Sequence, residues 1–388
     1  MKKLIVLILC AFILMIALVA CTNTTDDLII DPIEEDPVDS ELNDTPDETI
    51  DTAPFVPIFR VYDEAFATYS PDTVMIRNEG LIDVTWAELF SYMRPAVGAL
   101  SEFFGDEPVD WYAQWDDELS CAEWVLQYAK DQALFNQAVE FGANLFGITL
   151  SEYDLTLIRE ENIELAMQWG SVEAFLEMLW EHYGIYSHEL FDHLNSFIRL
   201  SELLIMEIHS EITDEEIADL TANDGYIMIK HIYLNKHEYG GFQDASQLIE
   251  DILERVKTYN GEDFETFFDE LIKMYSDDIQ ANELLSHGYL FRYGDVSQYF
   301  FEAAASLEIN EFSGIIDSGE GYHIMYRIPI NYDAIPFSFI AQNDHRSLRS
   351  LVAHSRFNVL HEEWFNMLKP EFTDEFYSID IRELFLRA

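Results

Sequence analysis

The chain has 388 residues, 49% of them apolar, and sets 74 Asp and Glu against 21 Lys and Arg for a net charge of −53. Such a length can enclose two cores. So acidic a balance argues against nucleic acid as a partner, since phosphate binding needs clustered Lys and Arg, and against broad adhesion to anionic lipid.

Met1-Lys2-Lys3 precedes an uninterrupted apolar run from Leu4 to Ala20, which has the charged and apolar regions of a secretory signal. The run ends in Leu18-Val19-Ala20-Cys21, which resembles the bacterial lipobox. That resemblance implies cleavage before Cys21 and a diacylglyceryl thioether on its sulfur. The alternative is an uncleaved N-terminal anchor helix. Either reading places the rest of the chain outside the cytoplasmic membrane, and the first makes it lipid-anchored on the extracytoplasmic face. Loss of Lys2 and Lys3 with the leader would take the net charge from −53 to −55. With Cys10 in the leader and Cys21 lipidated, the fold is expected to rest on core packing and not on a disulfide.

From Thr22 to Pro57 the composition shifts to Asp, Glu, Thr and Pro, and no Lys or Arg appears between Lys3 and Arg60. This stretch buries too little apolar area to repay its ordering entropy and reads as an extended tether. Phe59 to Glu211 reads as mostly helical. Thr85-Trp86-Ala87-Glu88 has the form of a capping box. Cys121, Val125, Tyr128, Phe135 and Val139 share one helix face, with Gly142 as the expected stop. Helices are expected over Ser151–Trp169, Ser171–Tyr183 and Ser187–Ile212, and Thr213-Asp214-Glu215-Glu216 caps a further short one.

Ile229-Lys230-His231-Ile232-Tyr233-Leu234 and Gly321-Tyr322-His323-Ile324-Met325-Tyr326-Arg327 are β-branched and aromatic runs that read as strands. Each carries one histidine among apolar neighbours, which points to a pair. Between them Leu248 to Val256 and Phe264 to Tyr275 have helical spacing, Gly288 to Phe291 reads as a short strand, and a small-residue helix runs through Phe300 and Leu307. The order is β-α-α-β-α-β. After a loop through Pro336, an amphipathic helix is expected from Ser347 to Leu368.

These residues resemble the parvulin family of peptidyl-prolyl isomerases. The resemblance is carried by Lys230-His231-Ile232-Tyr233-Leu234, by Gly261-Glu262-Asp263-Phe264 with Met274-Tyr275-Ser276-Asp277-Asp278, by Phe300 to Leu307 with Glu311-Phe312-Ser313, and by Gly321-Tyr322-His323-Ile324. The sequence departs from the family at Ser286-His287-Gly288-Tyr289, which replaces a glycine-rich run, at Val296 in place of a methionine, and at Asn310 in place of a glycine. The helical region is similar to the N-terminal chaperone domains of the SurA and PrsA type of foldase, through Gly147 to Glu152, Gly170 to Phe175 and Gly184 to Leu190. Together they imply an α+β protein. A helical N-terminal chaperone-like domain is completed by a C-terminal helix, with an inserted parvulin-like domain, a small antiparallel sheet flanked by helices. The expected segments are 1–20 leader, 21–57 tether, 58–222 helical domain, 223–331 isomerase domain and 332–388 C-terminal segment.

The resemblance implies that His231, Asp278 and His323 form a catalytic hydrogen-bond relay and that Val296, Phe300 and Tyr289 line a slot for proline. No cofactor is implied. A zinc site from His231, His237, His287 and His323 is disfavoured, because no Cys or close His pair accompanies them. The implied partners are unfolded or partly folded exported polypeptides containing X-Pro bonds, and self-association into a homodimer is left open. Two functions remain: a lipid-anchored prolyl isomerase that assists folding of exported proteins, or a catalytically inactive chaperone whose parvulin-like domain docks peptides. The retained histidines favour the first and the departures favour the second. The helical aromatics, Trp111, Trp115, Trp124, Trp169 and Trp180 among them, serve either as core or as a surface for unfolded chains.

Overall fold

Hydroxyl side chains start most of the helices that the apolar periodicity demands. A computed structural model describes residues 62–385 apart from 106, 239–241, 279–287 and 341–343. Its main helices are α1 Trp86–Phe104, α2 Cys121–Phe146, α3 Glu152–Gln168, α4 Val172–Tyr183, α5 His188–Glu211, α6 Asp214–Asp224, α7 Phe242–Thr258, α8 Phe264–Tyr275, α9 Gln298–Ala305 and α10 Leu348–Met367. The strands are β1 Val74–Arg77, β2 Val84–Thr85, β3 Ile227–Asn235, β4 Tyr289–Phe291, β5 Ile316–Asp317, β6 Gly321–Ile328 and β7 Glu371–Phe372. Ser120, Ser151 and Thr213 form reciprocal capping boxes with Glu123, Asp154 and Glu216, and Ser171 caps α4. The leader, Cys21, the acidic tether and His287 lie outside the described residues.

Two compact units divide the chain. One holds the described residues up to Leu204 together with those from Val359 on, and the other is Ile205–Asn358. The second is thus inserted, in chain order, between two parts of the first. Its ends fall at 205 and 358, outside the 223–331 segment marked by the strand motifs. Among the described residues no helix is long and apolar enough to cross a membrane.

In the first unit α1 and α2 pack around a core of Trp86, Phe90, Met93, Val97, Val125 and Ala129. A small antiparallel sheet of order β2-β1-β7 closes it. Strands of two to four residues are too short to show a period, so the sequence does not reveal this sheet. The C-terminal segment contributes β7, pairing Phe372 with Ile76, and Phe385, stacked on Phe90 at 5.9 Å.

Two expectations are corrected here. Gly142 does not end α2, which runs on to Phe146 and stops at Gly147 with φ 68°. Gly142 is needed for close approach, since a Cβ there would lie 2.4 Å from the buried Trp364 ring. The capping box at Thr85 is half made. Thr85 accepts from the Glu88 N–H, but the Glu88 carboxylate is buried, where it accepts from the Tyr92 hydroxyl at 3.3 Å and pairs with His193 Nε2 at 3.4 Å. On the α2 face Cys121, Val125 and Val139 are buried as expected, while Phe135 is 46% exposed.

Burial opposes a charge on His193, yet the bond to Glu88 and the fields of Glu88 and Glu140 outweigh it and raise the imidazole above its ordinary value. A raised folded value means stability that is fully present below about pH 6.5 and lost as pH rises through the folded pKa. All 7 tryptophans lie in the first unit, so their fluorescence reports its unfolding. The advantage of wild type over His193→Gln in urea is expected to be about 1 kcal/mol at pH 6 and to shrink toward pH 8; a constant difference across that range would refute the ion pair.

Candidate active site

The second unit is built on a four-stranded antiparallel sheet of order β4-β3-β6-β5. Alternation along β3 puts His231 and Tyr233 on one face and Lys230, Ile232 and Leu234 on the other. Residues directly opposite on antiparallel strands share a face. The β3–β6 ladder pairs His231 with Met325 and Tyr233 with His323, so the two histidines are diagonal neighbours on the same face. The other face meets α8, where buried Lys230 reaches Asp269 and Glu265 at 2.8 Å each.

Among the described residues β4 pairs with β3 from Ile227 to Ile229. Beyond it the same edge of β3 is taken by the segment that follows α8. Tyr233 N–H donates to Ser276 Oγ at 3.1 Å, Asp277 N–H donates to the Tyr233 carbonyl at 2.8 Å, and Asn235 N–H donates to Asp277 Oδ2 at 2.8 Å. The two adjacent aspartates therefore have different tasks. Asp277 staples the loop to the strand, and Asp278 faces His231, with Oδ2 3.2 Å from Nε2.

The Nδ1 atoms of His231 and His323 are 3.3 Å apart, and their rings are nearly parallel at 7° with centroids 5.4 Å apart. Phe300, on α9, presents an edge-to-face contact to both, at 5.7 and 5.4 Å. Tyr289, on β4, meets the His231 ring at 4.7 Å and donates its hydroxyl to Asp278 Oδ2 at 2.9 Å. Both histidines are buried. Burial first, and then the neighbouring His231, lower the His323 imidazole to about 3, against the weaker pull of Asp278 and Asp317. Burial, then the charge and bond of Asp278, raise the Tyr289 phenol well above its ordinary range.

The structure thus gathers His231, Asp278, His323, Tyr289 and Phe300. Val296 is half-buried in the turn before α9 and bridged through its backbone to Tyr293. Three residues of the quoted motifs received no site role from the sequence. Tyr233 stacks on His323 at 4.7 Å, and Ser276 and Asp277 anchor the loop. Tyr233 was findable, because it lies two positions from His231 on the same strand face. Asn310 adopts φ 69°, a left-handed conformation that asparagine tolerates, which explains its use where glycine is usual. Among the described residues no group of three or more His, Cys, Asp or Glu is placed to hold a metal ion.

A small sheet with paired histidines on its central strands, covered by a phenylalanine-bearing helix, defines a prolyl isomerase domain of the parvulin class. Residues 227–328 match the family model of the rotamase PPIC-type PPIase domain, and this segment belongs to that family. Similar solved structures include the peptidylprolyl isomerase PrsA from Bacillus cereus, 17% identical over 69% of this chain and 94% of that one, with a TM-score of 0.27. PrsA from Bacillus subtilis is 18% identical over 77% and 92%, with a TM-score of 0.26. The foldase protein PrsA from Lactococcus lactis is 12% identical over 81% and 99%, with a TM-score of 0.33. No curated protein matches the chain.

A folded value of about 3 for His323 lies below the unfolded one, so its contribution to stability is present above about pH 6.5 and lost as pH falls toward the folded value. Relative to His323→Gln, wild type is expected to lose up to about 3 kcal/mol between pH 7 and pH 4, read by hydrogen exchange in β3 and β6. Parallel pH curves for the two proteins would show that His323 is not held neutral by the fold.

Proposed function

We propose that the chain is a peptidyl-prolyl cis/trans isomerase of the parvulin type that assists folding of exported proteins. The observation that carries this reading is the pair of buried histidines with Nδ1 atoms 3.3 Å apart, under one phenylalanine, inside a PPIC-type domain. An X-Pro bond interconverts over tens to hundreds of seconds behind a barrier of about 18–20 kcal/mol. No covalent step is needed. The site has only to bind the twisted amide better than either planar form. Phe300 supplies an apolar wall for the prolyl ring, and the relay of half-buried Asp278 with buried His231 and His323 supplies fixed dipoles beside the rotating carbonyl. A neutral His323 acts through its dipole and hydrogen bonds rather than as a charged acid. Val296 is assigned to the same slot by its place ahead of α9.

Exchange NMR on short X-Pro peptides tests the reading. Wild type should accelerate cis/trans exchange, and His323→Ala should lose about a hundredfold of that acceleration, the usual effect of removing one group of a fixed electrostatic site. No acceleration across a panel of residues before proline, with suppression of aggregation of an unfolded protein intact, would favour the second reading. In that reading the domain docks peptides without catalysis, as the replaced glycine-rich run before Tyr289 would allow.

The leader, the Leu-Val-Ala-Cys run and the acidic stretch support a lipid-anchored protein on the extracytoplasmic face, held off the membrane by its tether. Its clients on this reading are exported polypeptides not yet folded. Metabolic labelling with a radioactive fatty acid should mark wild type and fail to mark Cys21→Ala; equal labelling of both would remove the lipid anchor from the proposal.

A further inference from the structure

One donor in the site is not demanded by the two histidines themselves, the phenol of Tyr289. It reaches Asp278 from a different element. Gly288, at φ 77°, turns the chain so tightly that a Cβ there would lie 2.7 Å from the Ile229 carbonyl, which fixes where Tyr289 begins. Asp278 is held from the other side by the Ser276 and Asp277 staples to β3. The Tyr289 hydroxyl donates to Oδ2 of Asp278 at 2.9 Å, and the same Oδ2 lies 3.2 Å from Nε2 of His231.

We propose that Tyr289 is a positioning residue that aims Asp278 at His231 and thereby sets the direction of the hydrogen-bond relay through both histidines. The inference rests on the isomerase reading for its effect on rate. An O–H directed at Oδ2 favours a lone pair over a proton on that oxygen. An ionised Asp278 then accepts from Tyr289 and from Nε2–H of His231. A neutral His231 with its proton on Nε2 turns the lone pair of Nδ1 to His323, so Nδ1 of His323 carries the hydrogen and its Nε2 stays an acceptor. The reversed relay starts from a protonated Asp278 and leaves Nε2–H on His323. These proton positions are assigned by matching donors to acceptors. Among the described residues, the titratable groups facing Asp278 are His231 and Tyr233 on β3, Tyr289 on β4 and His323 on β6.

Tyr289→Phe keeps the ring against His231 and removes only the donor. In the full chain labelled with 15N at its 11 histidines, wild-type His323 should show the form protonated at Nδ1 at pH 7. In Tyr289→Phe both tautomers should appear. The kcat for peptide exchange should fall about tenfold with KM unchanged, and the acid limb of the rate profile should move up by about one pH unit, since a lost bond to a charge is worth about that much. Asp278→Asn, similar in shape but uncharged, should give the same mixture of tautomers. Unchanged tautomers and pH profile in Tyr289→Phe, or a rise in KM alone, would overturn the proposal and leave Tyr289 as a wall of the slot. If wild type catalyses no exchange, the isomerase reading fails while the tautomer comparison still decides the role of Tyr289.

Discussion

The central strand of a sheet must have every backbone donor and acceptor satisfied, and in this protein that requirement builds the site. β6 satisfies one edge of β3 along its length, and among the described residues β4 covers the other edge at Ile227 to Ile229. Further along that edge, the Tyr233 N–H and carbonyl and the Asn235 N–H are satisfied by Ser276 and Asp277. The loop that supplies them is thereby fixed in register, and the next residue in line is Asp278. The placing of Asp278 against His231 is a by-product of closing an edge. The same strand, alternating faces, commits His231 to the site and Lys230 to the α8 side.

Lys230 on β3 and Lys236 just past its end show how so acidic a chain uses its few cations. Lys230 and Lys236 are both almost fully buried, and each is met by carboxylates, Asp269 and Glu265 for one and Asp317 for the other. Removing Asp269 and Glu265 would leave the buried Lys230 ammonium without these counterions, and a broken pair costs more than an intact one contributes. Such pairs fix where β3 lies between α8 and the β5–β6 hairpin, so they act on the histidine face from behind and from the strand's end.

Helices were legible in the sequence where a hydroxyl cap preceded a long apolar period, as at Ser151, Ser171 and Thr213, and the histidine strands were legible because their runs are β-branched and aromatic. Features made by distant segments were not. Gly142 resembles a helix stop until Trp364 is seen to occupy the space its missing side chain leaves. Glu88 resembles the closing member of a cap until Tyr92 and His193 are found beside it. The β1–β2–β7 sheet joins residues some 300 apart through strands of two to four residues, which leave no local pattern. In the site, the family motifs marked His231, Asp278, Phe300 and His323. The separate tasks of Asp277 and Asp278 needed the ladder, because two adjacent aspartates look alike until one of them is seen bonding a strand.

A net charge of −53 favours protonation of any histidine it reaches, and His193 in the first unit is indeed shifted upward. His323 is shifted the other way. Screening limits the surface field to about 8 Å at physiological salt, so local contacts decide. His193 meets buried Glu88 directly. His323 meets Tyr233, Phe300 and the ring of His231, and the carboxylate of Asp278 reaches it through His231. Contact with a carboxylate therefore favours the charged form of His193, and burial beside another imidazole disfavours it in His323. Their difference follows from which atom each imidazole meets first, a carboxylate oxygen or another imidazole.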